Sequence, residues 1–125
     1  MGLMDLLFRG VRREAIASVP AGAVLHEGLV VGQGLAGGGP ASMKGNGQLV
    51  LTPDELVFVL AVPRRTLRIR RASILEVDVT RRHAGQASGR SWVRVRFTRE
   101  DGQEDAFAFD PMRGGTDPWL AAIGG

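Results

Sequence analysis

The 125-residue chain contains no cysteine and no tyrosine, and Lys44 is its only lysine. Without cysteine there can be no disulfide, no thiolate metal site and no cysteine nucleophile. The same absence fits a reducing compartment, so a cytoplasmic placement is expected, with or without peripheral attachment to a membrane. Long apolar runs are missing too. No stretch reaches the roughly 18 apolar residues of a bilayer-spanning helix, so no transmembrane segment is expected. The opening MGLMDLLFRGVRREAI places Asp5 ahead of its basic residues and has no small-residue cleavage site, so it reads as part of the folded protein. Leu6 stands where myristoylation requires Ser or Thr, which argues against lipidation.

Groups that could carry chemistry are sparse and scattered. His26 and His83 fall in a strand and a polar loop with no second ligand at metal spacing, so both read as surface histidines. No metal and no cofactor is expected. Asp54-Glu55, Glu100-Asp101 and Glu104-Asp105 are adjacent pairs in or beside turns. Neighbours on a strand point to opposite faces, so these carboxylates do not converge on a substrate and read as solvated. Ser73, Ser88 and Ser91 have no base placed for them. No residue is assigned a catalytic role, and an enzyme is not expected.

What is present is one domain's worth of ordinary globular composition, 44% hydrophobic and 23% charged, enough for a single modest core. The charge is unevenly distributed. Residues 61 to 99 hold eleven arginines against only Glu76 and Asp78, whereas residues 100 to 125 hold six acids against Arg113. An arginine-rich segment has two readings: base composition of a GC-rich genome, or a surface for anionic partners, where the planar guanidinium fork differs from an ammonium.

Leu3, Leu7 and Val11 recur at helical spacing with Met4 and Phe8 beside them, which predicts an amphipathic helix over residues 3 to 16. Three roles are open to it: packing on its own domain, docking on a partner chain, or lying on a membrane surface. A break at Pro20 and Gly22 separates this segment, residues 1–18, from a domain spanning 19–125.

Residues 23 to 31 read as a first strand, and residues 32 to 47, GQGLAGGGPASMKGNG, as a flexible glycine-rich loop. The loop formally contains G-x-G-x-x-G, but Gly38, Gly39 and Pro40 follow, so no helix can open there to hold a pyrophosphate. From Leu49 onward the period is two. Leu49 and Leu51 precede the turn Thr52-Pro53-Asp54-Glu55, and residues 56 to 61 run back. Leu67 and Ile69 alternate with Arg68 and Arg70. Leu75, Val77 and Val79 alternate with acids and Thr80, and a polar loop is expected over residues 81 to 90. Val93, Val95 and Phe97 alternate with Arg94 and Arg96, Asp101-Gly102 marks a hairpin, and Phe107 and Phe109 share a face. Thr116 or Asp117 can cap a short final helix with Pro118 in its first turn and Trp119, Leu120 and Ile123 as its apolar stripe.

About seven antiparallel strands followed by a helix bearing a tryptophan resembles the pleckstrin-homology (PH) superfold, closest to its GRAM-like and bacterial PH-like branches. The residues that carry the resemblance are Gly47-Gln48-Leu49-Val50-Leu51-Thr52 with Leu56-Val57-Phe58, then Ile69, Ala72-Ser73-Ile74 and Val77, then Phe107, Phe109 and Trp119. It implies a mainly β, PH-like split barrel over residues 23 to 123, with the N-terminal helix as an addition. It also implies a binding role without fixing the ligand. Phosphoinositide sites in this superfold place basic residues around the first strand loop, and here that loop offers only Lys44 among glycines.

The expectation is therefore a non-catalytic binding module. It would meet an anionic phospholipid surface or an acidic protein or peptide through Arg64, Arg65, Arg68, Arg70, Arg94 and Arg96, with Trp92 beside the last two and Lys44 as an accessory. The alternative is an assembly protein forming homo- or hetero-oligomers through the barrel and the helix carrying Leu3, Leu7, Phe8 and Val11. Nucleic acid is not an expected partner, because stacking platforms are scarce.

Overall fold

The computed structural model describes residues 2–38 and 42–124. Seven antiparallel strands form one curled sheet: β1 (His26–Leu35), β2 (Lys44–Leu51), β3 (Glu55–Leu60), β4 (Arg65–Arg70), β5 (Ile74–His83), β6 (Gln86–Thr98) and β7 (Glu104–Asp110). Their spatial order is β4-β3-β2-β1-β7-β6-β5, so β1 joins the two halves while β4 and β5 remain edges. Helix α1 (Leu3–Ala17) precedes the sheet and α2 (Asp117–Gly124) follows it. This mainly β half-barrel with a helix at its C-terminal end is compatible with the PH-like architecture that the sequence resembles.

Alternation sends one set of side chains to the concave face. Leu49, Leu51, Leu56, Phe58, Ile69, Val93, Val95, Phe107 and Phe109 are buried there in a single cluster. The Phe58 and Phe107 rings lie 5.1 Å apart between centroids, which ties the two halves of the sheet together. Helix α2 closes one end. Its Trp119 stacks edge-on against Phe109 and His26, and the Arg71 guanidinium donates to the Ile123 carbonyl at 2.9 Å.

Half of the expected glycine-rich loop is strand. Residues 32 to 35 extend β1, and residues 44 to 47 open β2 in register with it. The glycines there supply space rather than flexibility. A Cβ at Gly32 would lie 2.5 Å from the Met43 carbonyl and 3.0 Å from the Phe58 ring. A Cβ at Gly47 would collide with the Val59 carbonyl and come within 2.6 Å of the same ring. Of the expected loop, residues 39–41, including the Gly39-Pro40 pair that speaks against a dinucleotide helix, lie outside the described residues.

The convex face is also covered. β2 and β3 turn Val50, Val57 and Val59 outward, and α1 lays Val11 and Ala15 on them, with Leu7 and Ile16 at the margin. Burying Val11 alone contributes about 1.5–3 kcal/mol. Arg12 bonds Glu27 at 2.6 and 3.1 Å, and Glu14 accepts from Arg64 at 2.7 Å, which pins the helix across the strands. The near-continuous apolar runs LVL and LVFVL are the signature of strands buried on both sides.

The expected polar loop over residues 81 to 90 is instead a strand hairpin. Ala84 and Gly85 both have positive φ, 50° and 78°, as a two-residue type I′ turn requires. A register shift between Thr80 and Arg82 bends the hairpin back over the outer face of β7 and β1. There the His83 imidazole meets the Gly34 carbonyl at 2.7 Å. His83 is thus buried, and the His26 ring packs on Trp119, so neither is the surface histidine that the sequence suggests. Asp105 is likewise buried rather than solvated, with its carboxylate accepting from the Gly37 and Ala106 amides.

Gly47→Ala is expected to destabilise the chain by about 3 kcal/mol or more through overpacking against Phe58. Gly89→Ala, where a Cβ meets nothing within 4 Å, should shift the urea midpoint little by comparison. Equal midpoints for the two variants would contradict the packing described.

Candidate functional site

The expected arginine contacts do not form one surface. Arg64 sits on the turn between β3 and β4, and Arg65, Arg68 and Arg70 are on β4 itself. Arg94 and Arg96 are on β6, with β3, β2, β1 and β7 lying between the two groups in the sheet order. Lys44 opens β2 opposite Gln33, held in a strand rather than on a flexible loop.

On the β6 side the charge is matched from within. The Arg94 guanidinium forms a two-pronged pair with Asp78 at 3.0 and 2.6 Å, across the β5–β6 ladder. Arg96 donates to both Glu104 oxygens at 3.2 and 2.9 Å and to Glu76 at 3.1 Å. Two guanidiniums therefore face three carboxylates. This is what cross-strand geometry dictates, because Asp78 pairs with Arg94 and Glu76 with Arg96 in the register. Trp92 shares this face by alternation but is only 5% exposed, so its ring is not open to a partner. A shallow cleft of about 760 Å³ remains between the bent hairpin end and this face, lined by Arg82, Arg94, Arg96 and Glu104.

On the β4 side the balance differs. Arg68 is held by Glu55 and by the Ser18 carbonyl at 2.8 Å, and Arg64 by Glu14. Among the described residues Arg70 has no side-chain partner, and its neighbours on β4 are two further arginines, Arg65 and Arg68. Between β4 and the end of β6 lies an open cleft of about 600 Å³, with Leu67, Leu35 and Phe97 on its apolar side.

A third exposed region is the first two turns of α1. The expected apolar stripe is split: Val11 is fully buried on the sheet and Leu7 and Phe8 half-buried, whereas Leu3 is 83% exposed. Met4 shares the sheet-facing side of the helix with Val11 by the 3.6-residue period yet is 52% exposed, so the helix runs past the sheet. Leu6, 56% exposed, is followed at i+3 and i+7 by Arg9 and Arg13, neither of which has a side-chain partner among the described residues. Asp5 is turned back to the Gly2 amide at 3.3 Å.

No three His, Asp or Glu side chains come together as a metal site among the described residues, and no helix among them is long and apolar enough to cross a membrane. No protein-family model, no characterised protein and no solved structure matches this chain.

The ion pairs leave a mark on acid stability. The hydrogen bonds from Arg96 hold the Glu104 carboxyl below its ordinary value of 4.5. A carboxyl depressed in the folded state contributes stability that is present above its unfolded pKa and is lost as pH falls through the folded one. Arg96→Gln should therefore lower the urea midpoint modestly at pH 7 and leave it unchanged in acid below the folded-state pKa of Glu104, so that the decline below about pH 4.5 becomes shallower. An unchanged acid slope would show that this pair does not form in solution.

Proposed function

We propose that the protein is a non-catalytic binding module of PH-like, GRAM-like type that attaches to an anionic lipid surface through the free end of α1. The observation that carries this reading is the exposure of Leu3, Met4 and Leu6 beside the unpaired Arg9 and Arg13. An apolar end flanked by guanidiniums suits the boundary between acyl chains and anionic headgroups. Each cation near such a surface adds about 1 kcal/mol. The β6 arginines are weaker candidates for the same task, since any anion must compete with the carboxylates already bound to them. The PH-like assignment is supported by the seven-strand antiparallel order and the C-terminal helix over one end of the barrel.

The test is co-sedimentation with liposomes of graded phosphatidylserine content at low and high salt. Arg9→Gln/Arg13→Gln should weaken partitioning roughly thirtyfold, from two cations at about 1 kcal/mol each. Leu3→Ala/Leu6→Ala should weaken it as well, and Arg94→Gln/Arg96→Gln should leave it close to the parent chain. Absence of salt-sensitive binding at every composition would overturn the reading. Self-association of the parent chain that disappears in Leu3→Ala/Leu6→Ala would assign the same helix end to assembly between copies.

A further inference from the structure

The half-barrel has a gap in its wall. β4 is hydrogen-bonded only to β3, and β5 begins at Ile74 opposite Phe97, so on the side away from β7 the last residue of β6 and the turn after it have no strand beside them. The cleft of about 600 Å³ occupies this gap, between the free edge of β4 and residues 97 to 100. Its apolar side comes from Leu35, Leu67 and Phe97, whose alternation points them to the concave side, while Arg68 and Arg70 stand on the outer side of the same edge. At the opposite edge, β5, the first residues are partly covered by α2.

We infer that this gap accepts one extended segment of a partner protein, added as a strand along β4. An edge strand presents unpaired backbone donors and acceptors that such a segment can satisfy. The period of two then fixes its chemistry: apolar side chains inward onto Leu67, Leu35 and Phe97, and an acidic side chain outward toward Arg70, since Arg68 is already held by Glu55 and the Ser18 carbonyl. The useful length is about six residues, that of β4 itself. A second copy of this chain does not fit the description. Edge-to-edge pairing of two β4 strands would bring Arg68 and Arg70 of one toward the same arginines of the other on one face, and like charges opposed across a ladder repel. The cations thus block self-pairing and select an acidic partner. Glu100 on the far rim adds a preference for a basic group at that side of the segment. This site is distant in sequence from the α1 end and does not depend on lipid binding.

The probe is a short labelled peptide of alternating glutamate and valine, titrated into the intact chain by fluorescence anisotropy and followed by amide chemical shifts. Binding should be at least about tenfold tighter than for a scrambled peptide of the same composition. It should be lost when alternate peptide amides are N-methylated, and be weakened about tenfold or more by Arg70→Glu, an exposed substitution that removes no internal contact. Shifts should concentrate on residues 67 to 70 and 97 to 100. Equal binding of the scrambled peptide, shifts elsewhere, or no binding at millimolar peptide would overturn the inference.

Discussion

The Phe58 ring occupies space that side chains at positions 32 and 47 would otherwise fill, and the curl of the sheet depends on that exchange. Glycine on β2, the neighbour of β3, and on β1 beyond it leaves room for the ring, and the ring in turn reaches Phe107 on the other half. A sheet with larger residues at these places would have to flatten, and the concave core would open. The fold thus trades backbone entropy at a few glycines for close aromatic packing.

Once the sheet is curled, its outer face becomes a problem of covering. α1 takes the half formed by β2 and β3, matching valine to valine. The bent hairpin end takes part of the other half, where the small residues Ala106, Ala108 and Gly34 leave room for it. The remaining outer surface on β5 to β7 is a lattice of arginine–carboxylate pairs. Exposed pairs contribute little stability each, but they remove charge from that surface. An arginine-rich stretch of sequence therefore becomes, in three dimensions, a largely paired wall on which only the hairpin-end Arg81 and Arg82 lack an ion pair among the described residues, and other unmatched cations lie elsewhere in the molecule. Arg9, Arg13 and Arg70 are among these, and each lies beside exposed or open apolar surface.

Much of the fold was legible from residues alone. The period of two in residues 49 to 58 and 93 to 97, the Asp101-Gly102 turn and the Pro118–Ile123 helix all stand where local chemistry places them. Two signals pointed the wrong way. Glycine density over residues 32 to 47 suggested flexibility, because spacing cannot tell a glycine that frees the chain from one that admits a neighbouring ring. His-Ala-Gly-Gln at residues 83 to 86 carries no Asn-Gly or Asp-Gly signal, so the tight turn was hidden. For the surface, alternation put Arg94 and Arg96 outward as expected, but the register that sets them against Asp78, Glu76 and Glu104 is a long-range property. The docking of α1 was readable in principle, since Val50, Val57 and Val59 make β2 and β3 apolar on both faces.

Helix α1 is divided: its second half is fixed to the sheet, and the apolar side chains of its first two turns stand largely exposed. Residue-resolved hydrogen exchange of the native chain tests this directly. Amides from residues 11 to 15 should exchange slowly, together with those of β2 and β3, while amides from residues 4 to 8 exchange orders of magnitude faster. Uniformly fast exchange along the helix would mean that α1 is not docked on the sheet. Uniformly slow exchange would mean that its first turns are already covered, and either result would contradict this division of the helix.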